Sequence, residues 1–548
     1  MRKPTTSNWL RNIYLHGDTL SEPPQLNVVD AANGTNSGYE ARTRIARSIL
    51  SNWAGLGANL LVGLLLAPFI VHRLGNTAYG IWALVLQLTG YMGVVDVGLR
   101  SALVRFVARF HAEQNQSAMN RLLTVTRVLY GALAVVCLIV GALLAGFVLP
   151  HMHIPATMLR ESQVVLVLAA GTMAAGFTLG RFQPVLAGLS RWDLINAVNI
   201  GTLLFRTALI VLFLMKGYGL VTVGIIHFLT SVTAYWLCAF LARRLLPWLD
   251  YSWRLSGLDD IWPILRHSLY SFLISAGNRI IHQVDTIVIA VFLPVENVAF
   301  YVIGLKLAEY LGDLVNASAQ IVSPLASGLE AEGRAGELGS LLVRGTKYSL
   351  LVIYLLNVSF LLLGRDFIRL WMGQQYAEPS GGVLMILSLG LFFSATQNMG
   401  SHMLYGLSKH GVNVWCTSVE AVLNLGLSLV LVRRFGILGV AAGTAVAAAV
   451  VRGWLFPRAF LRILNVSPRT YVRLAILPVL LPTLCFTVGI STFRAFLDTG
   501  HIGALVLAGA AGLVLHVPCV WFFSLDEAER GRVRQFRPCA KWKTAVAG

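Results

Sequence analysis

Three cations occupy positions that disfavour charge. Arg206, Arg279 and Lys306 each lie near the middle of a long apolar run. A charge at the centre of a bilayer costs about 2.5–3.5 kcal/mol even on the mildest insertion scales. Such a group either pairs with an acid, lines a water-filled cavity, or holds an anionic ligand. Small residues crowd Ser275-Ala276-Gly277-Asn278-Arg279 and leave room beside the guanidinium. The planar donor fork of arginine suits a pyrophosphate. An internal pair is equally open, because His282 and Asp285 follow Arg279 by three and six residues and can share its face.

Other ionisable groups repeat this ambiguity. Lys306 is followed by Glu309 and Asp313 on one helical stripe, which must face the bundle interior or water. Either Lys306 and Glu309 neutralise each other, or Glu309 or Asp313 exchanges a proton or cation whose gradient does work. Arg206 falls in the fifth apolar run and Glu420 in the eleventh. They form opposing polar walls of a cavity or pair directly. Asp96 and Arg100, four residues apart, make an intrahelical pair or a gate at the end of the second run. Asn59 and Asn278 add amides at membrane depth, suited to sugar hydroxyls or to holding helices together.

The elements that position these groups follow from composition. Hydrophobic residues make up 56% of the 548 residues and charged residues only 12%. A soluble domain has about 25% charged residues, so lipid must cover much of this chain. Apolar stretches long enough to span a bilayer recur about fourteen times, which gives an all-α polytopic membrane protein. The net charge of +18 would suggest nucleic acid in a soluble protein. Here it reads as Lys and Arg gathered in cytoplasmic loops, with no nucleic-acid partner. An even number of spans with both termini cytoplasmic keeps the basic end, Arg530 to Lys543, inside. Arg433 and Arg434 run against that rule. Six cysteines show no metal-ligand spacing. We expect no disulfide, no metal and no cofactor.

The runs repeat. Leu88-x-x-Tyr91-x-Gly93 returns as Leu307-x-x-Tyr310-x-Gly312, 219 residues on, and Asn59 matches Asn278 at the same offset. Gly188-Leu189-Ser190-Arg191 returns as Gly406-Leu407-Ser408-Lys409. The offset covers six runs, an even number, so the copies cross the membrane in the same direction. The expected organisation is a disordered cytoplasmic tail (1–44), a six-helix bundle (45–242), a cytoplasmic linker (243–264), a second six-helix bundle (265–465), two added spans (466–523) and a basic tail (524–548). The links at 243–264 and 324–346 are long enough for a lateral helix.

The stretch 68–99 resembles the O-antigen and exopolysaccharide flippases of the multidrug/oligosaccharidyl-lipid/polysaccharide superfamily. It carries Leu74-Gly75, Tyr79-Gly80, Tyr91 and Asp96-Val97-Gly98-Leu99 in order. Two further motifs fit the same resemblance: Gln283-Val284-Asp285-Thr286-Ile287, followed by Tyr301 and Lys306-Leu307, and Arg369-Leu370-Trp371-Met372-Gly373. The likeness covers about residues 45–465 and implies a MATE-like fold of two six-helix halves plus two helices. It also implies a flippase in the bacterial inner membrane that moves a polyprenyl-pyrophosphate-linked oligosaccharide by alternating access. Membrane lipids, a polysaccharide polymerase and a chain-length regulator would be its partners.

On that resemblance Arg279, Lys306, Arg206, Asn59 and Asn278 would bind substrate. Asp285, Glu309, Asp313, Glu420, Asp96 and Arg100 would couple ions or gate. The chain has no GxxxxGK[ST] phosphate loop, so energy would come from a gradient or from the substrate. Two alternatives remain at this point: a cation/drug antiporter, which wants a carboxylate-rich cavity, and a membrane-embedded glycosyltransferase or polymerase, which wants an acidic cluster at a membrane face.

Overall fold

The computed structural model describes residues 36–248, 284–319, 322–407, 409, 411–496 and 500–535. Among them every regular element is helical. A helix satisfies its own backbone groups, which is what a spanning segment needs where no water can reach. Among the described residues ten helices are long and apolar enough to cross a membrane.

Two of these are too long for one crossing. Helix α1 (Asn36–Met92) has 57 residues, about 85 Å if straight against a hydrocarbon core of about 30 Å. It turns at Gly75, where φ is 81° and ψ 166°. Only glycine takes such a conformation without strain. The run from Gly411 turns in the same way at Gly436, with φ 57° and ψ −136°. Each gives two legs from one continuous element.

The described chain forms two compact units, Met1–Ala299 and Phe300–Gly548. In the first, α1 is followed by α2 (Val94–Ala112), α3 (Gln116–Leu143), α4 (Ala156–Thr178), the short α5 (Phe182–Gly188), α6 (Trp192–Met215) and α7 (Leu220–Leu245). Its core joins α2, α3, α4, α5 and α7 through Leu103, Phe106, Met119, Tyr130, Phe177, Phe182 and Cys238. Tyr130 and Phe177 stack with centroids 6.2 Å apart. The side chains facing outward, such as Leu138, Ile139, Leu204 and Phe205, are large and apolar. Lipid accepts such a surface and water does not.

A short helix at 284–292 leads to α8 (Glu296–Ala319), on the eighth expected span. Thr77, just past the turn of α1, donates to Glu296 at the first position of α8, 2.8 Å away. The two stand 219 positions apart, the spacing of the sequence repeat.

In the second unit α9 (Val322–Ala331) supplies a helix in the expected 324–346 link. It is followed by α10 (Leu338–Met372), α11 (Gln374–Gly406), α12 (Gly411–Val450), α13 (Phe456–Ile463), α14 (Leu477–Phe496), α15 (Ile502–Cys519) and α16 (Glu527–Gln535). Helix α10 begins well before the apolar run that marked it in the sequence, because its first turns are amphipathic. It packs on α11 and α14 through Leu350, Tyr354, Ala395 and Val479, and on α14 and α15 through Val358, Leu363, Phe486 and Ala508.

Ion pairs tie the two ends of α10 to the segments that follow the second bundle, one to α16 and one to α14. Near its start, Lys347 Nζ lies 2.7 Å from Glu529 of α16 and donates to the Ser524 carbonyl at 3.1 Å. Near its end, Asp366 meets Arg494 of α14 at 3.1 Å and its own neighbour Arg369 at 3.3 Å.

Candidate functional site

Arg206 sits midway along α6, half-buried against α7. Its Nε donates to Thr230 Oγ1 and its Nη2 to Ser231 Oγ, both at 2.9 Å. Thr230 in turn bonds back to the Ile226 carbonyl, a geometry that holds its hydroxyl oxygen toward the guanidinium. These hydroxyls are neutral. No carboxylate among the described residues comes within ion-pair distance of Arg206. A cation in an apolar span is thus oriented by two hydrogen bonds, and no described residue compensates its charge.

Polar groups continue on either side of it. Toward the start of α7, His227 lies within electrostatic range of Arg206. The His227 ring meets Trp82 edge-on at 5.4 Å. Toward its end, Tyr235 feels both Arg206 and Arg100. Arg100 donates to Gln183 of α5 at 2.9 Å. Its contact with Asp96 is a loose 3.6 Å, and the other Asp96 oxygen accepts from Tyr130 at 2.9 Å. The expected Asp96–Arg100 pair therefore exists, but each partner is also tied to another helix.

Lys306 has a different environment. Its Nζ stands 2.6 Å from Glu309 Oε2, so the internal neutralisation open in the sequence is the arrangement found. Asp313, one turn further, is exposed. Glu420 is buried and pairs with Arg452 at 2.7 Å. Asn424, one turn from Glu420, donates to Thr444 Oγ1 at 3.1 Å and accepts from Ser428 at 3.1 Å. Asp285 is buried at 3% exposure and has an interaction partner of its own. The Asn59 amide is exposed and donates to the Gly55 carbonyl of its own helix at 2.8 Å. Arg279 and Asn278 lie outside the described residues.

Several partners escaped the sequence. Arg452 sits in a π-helical turn, Val451–Leu455, inside the helical run. Such turns insert one residue and reset which side chains share a face. Tyr130, Gln183, Thr230 and Ser231 carry no signal that distinguishes them from ordinary helix-packing residues.

The profile of the family described as polysaccharide biosynthesis protein matches residues 45–329, more than half of the chain. The chain belongs to that family. One relative is a "Putative O-antigen transporter" of Shigella flexneri, 20% identical over 430 residues, which are 76% of this chain and 98% of that protein. Among solved structures, the lipid II flippase MurJ in an inward closed conformation superposes with a TM-score of 0.69 at 14% identity, covering 87% of this chain and 98% of that one. A multidrug resistance MATE transporter in its inward-facing conformation gives 0.56 at 16%, covering 74% and 94%. The helical architecture is thus the MATE-like fold expected from the sequence, and it is shared with MurJ.

Proposed function

We propose that this protein is a flippase that moves a polyprenyl-diphosphate-linked oligosaccharide across the bacterial inner membrane for cell-surface polysaccharide synthesis. The observation that carries the reading is Arg206, a mid-span cation held by two hydroxyls with no acid beside it among the described residues. A guanidinium so placed lowers the cost of bringing a diphosphate to membrane depth, while the lipid tail stays in the bilayer. Family membership and the likeness to a lipid II flippase support the same reading.

The two six-helix bundles, 45–242 and 265–465, alternate access around the substrate, with the spans at 466–523 added. Fourteen spans with both termini cytoplasmic complete this reading. Arg279 and Asn278 join Arg206 on the substrate side. Lys306 acts together with Glu309, and Asp313 and Asp285 remain for coupling. A polysaccharide polymerase and a chain-length regulator act downstream. The MATE likeness favours a cation/drug antiporter as second reading, but Glu420 and Glu309 are each occupied by a cation, which leaves few carboxylates for a cationic drug.

The test is surface polysaccharide in a strain lacking its own copy of the gene. Restored export by the wild-type chain and none by Arg206→Gln, at equal membrane levels, supports the reading. Unaltered export with Arg206→Gln removes Arg206 from the path. Drug resistance conferred in a sensitised strain would favour the antiporter.

A further inference from the structure

The Tyr235 hydroxyl makes no hydrogen bond to any described residue, although its ring is half-buried in the span. A tyrosine hydroxyl in an apolar setting normally finds an acceptor. Its position is also specific. Tyr235 follows Ser231 by four residues and His227 by eight, so the three share one face of α7 over about 12 Å. Across from it is Gly176 of α4, where a Cβ would stand 3.2 Å from the hydroxyl oxygen. The absent side chain leaves the phenol its space.

Along α7, Tyr235 lies one turn beyond Ser231, which accepts from Arg206, and three residues before Cys238, which is hydrogen-bonded to the same Gln183 that accepts from Arg100; Asp96 also lies within electrostatic range of it. The Arg100 guanidinium is not saturated: its acid is 3.6 Å away and shared with Tyr130, and its side chain is 47% exposed. A passing anion must bind well enough to enter and weakly enough to leave, which favours several modest sites over one strong one. A neutral donor between two cations meets that requirement, because it adds a hydrogen bond without adding charge.

We propose that Arg100, Tyr235 and Arg206 are successive stations for the diphosphate, with the Tyr235 hydroxyl donating to a phosphate oxygen as it passes between the guanidiniums. The inference rests on the flippase reading and extends it to residues on α2 and α7. Tyr235 is a donor to the ligand, not a support for Arg206, whose hydrogen bonds go to Thr230 and Ser231.

The experiment is equilibrium titration of the purified full-length protein with geranyl diphosphate, and with uncharged geraniol as reference. Loss of one hydrogen bond to a charged group predicts that Tyr235→Phe weakens geranyl diphosphate binding about tenfold, with geraniol unchanged. Gly176→Ala, which keeps the phenol but places a methyl carbon 3.2 Å from its oxygen and 3.4 Å from its Cζ, should shift affinity in the same direction by a smaller factor. It keeps the proposal testable should Tyr235→Phe fold poorly. Wild-type binding that Arg206→Gln weakens but that neither Tyr235→Phe nor Gly176→Ala alters overturns the station and leaves the flippase reading standing. An equal loss for diphosphate and geraniol also overturns it, as a packing effect. No binding of geranyl diphosphate by the wild-type chain overturns both.

Discussion

Arg206 and Lys306 are both mid-helix cations, yet their partners differ in kind. Lys306 has an acid at 2.6 Å, so removing the lysine alone leaves Glu309 charged in the span. Lys306→Ala is expected to abolish polysaccharide export, and Lys306→Ala with Glu309→Gln to recover much of it. A double variant as inactive as the single one would show that the ammonium itself acts. Among the described residues Arg206 has only hydroxyl partners, so no second substitution should rescue Arg206→Gln. Its loss should weaken diphosphate binding by about 10–150-fold, the value of a charged hydrogen bond. Arg206→Lys, which keeps the charge without the fork, should fall between. Both cations were visible in the sequence because charge inside an apolar run stands out. What each one touches was not. Glu309 is local to Lys306 and could be read from spacing. Thr230 and Ser231 lie on another helix, and the small polar residues of a span look alike whether they bind a cation or fill a helix contact. The pairing of Glu420 with Arg452 depends on a π-helical turn that apolar patterning does not reveal.

At the level of elements, α10 is held at both ends. Lys347 and Glu529 are both buried, at 6% and 3% side-chain exposure, so removing one partner strands the other. Glu529→Ala is expected to destabilise the protein by about 3–5 kcal/mol, whereas Lys347→Met with Glu529→Leu should be nearly neutral. Thermal unfolding in detergent distinguishes them; equal stability of Glu529→Ala and wild type would make the pair incidental. Burial pushes the Glu529 carboxyl up, but hydrogen bonds from Lys347, Tyr348 and the Asp526 N–H outweigh it and hold the group below its ordinary value of 4.5. A depressed carboxylate contributes fully above the unfolded value and progressively less as pH falls through the folded one. The wild-type chain should therefore lose stability below about pH 4.5 more steeply than the Lys347→Met/Glu529→Leu variant. This clamp was not legible in advance. The segment 524–548 reads as a basic tail set by membrane topology, and that reading does not single out Glu529, the acid that holds Lys347. The helix in the 324–346 link was legible from length alone, and α9 occupies part of it.

For the whole molecule, the all-helical membrane architecture followed from composition and apolar run length, and the resemblance at 68–99 pointed to the fold that the superpositions display. Apolar run length alone implies that the chain turns between consecutive spans. It does not show that two of the turns, at Gly75 and Gly436, are each a single glycine inside an otherwise continuous helical element. The orientation reading makes its own prediction. A green fluorescent protein fused after Gly548 should fluoresce and alkaline phosphatase at the same place should be inactive; the reverse pattern would invert the topology. The most direct measurement of the central claim is movement of a fluorescent polyprenyl-diphosphate oligosaccharide between leaflets of proteoliposomes, followed by its accessibility to dithionite. The account predicts exchange with the wild-type protein and a rate near that of empty vesicles with Arg206→Gln. Equal exchange by both proteins would contradict it.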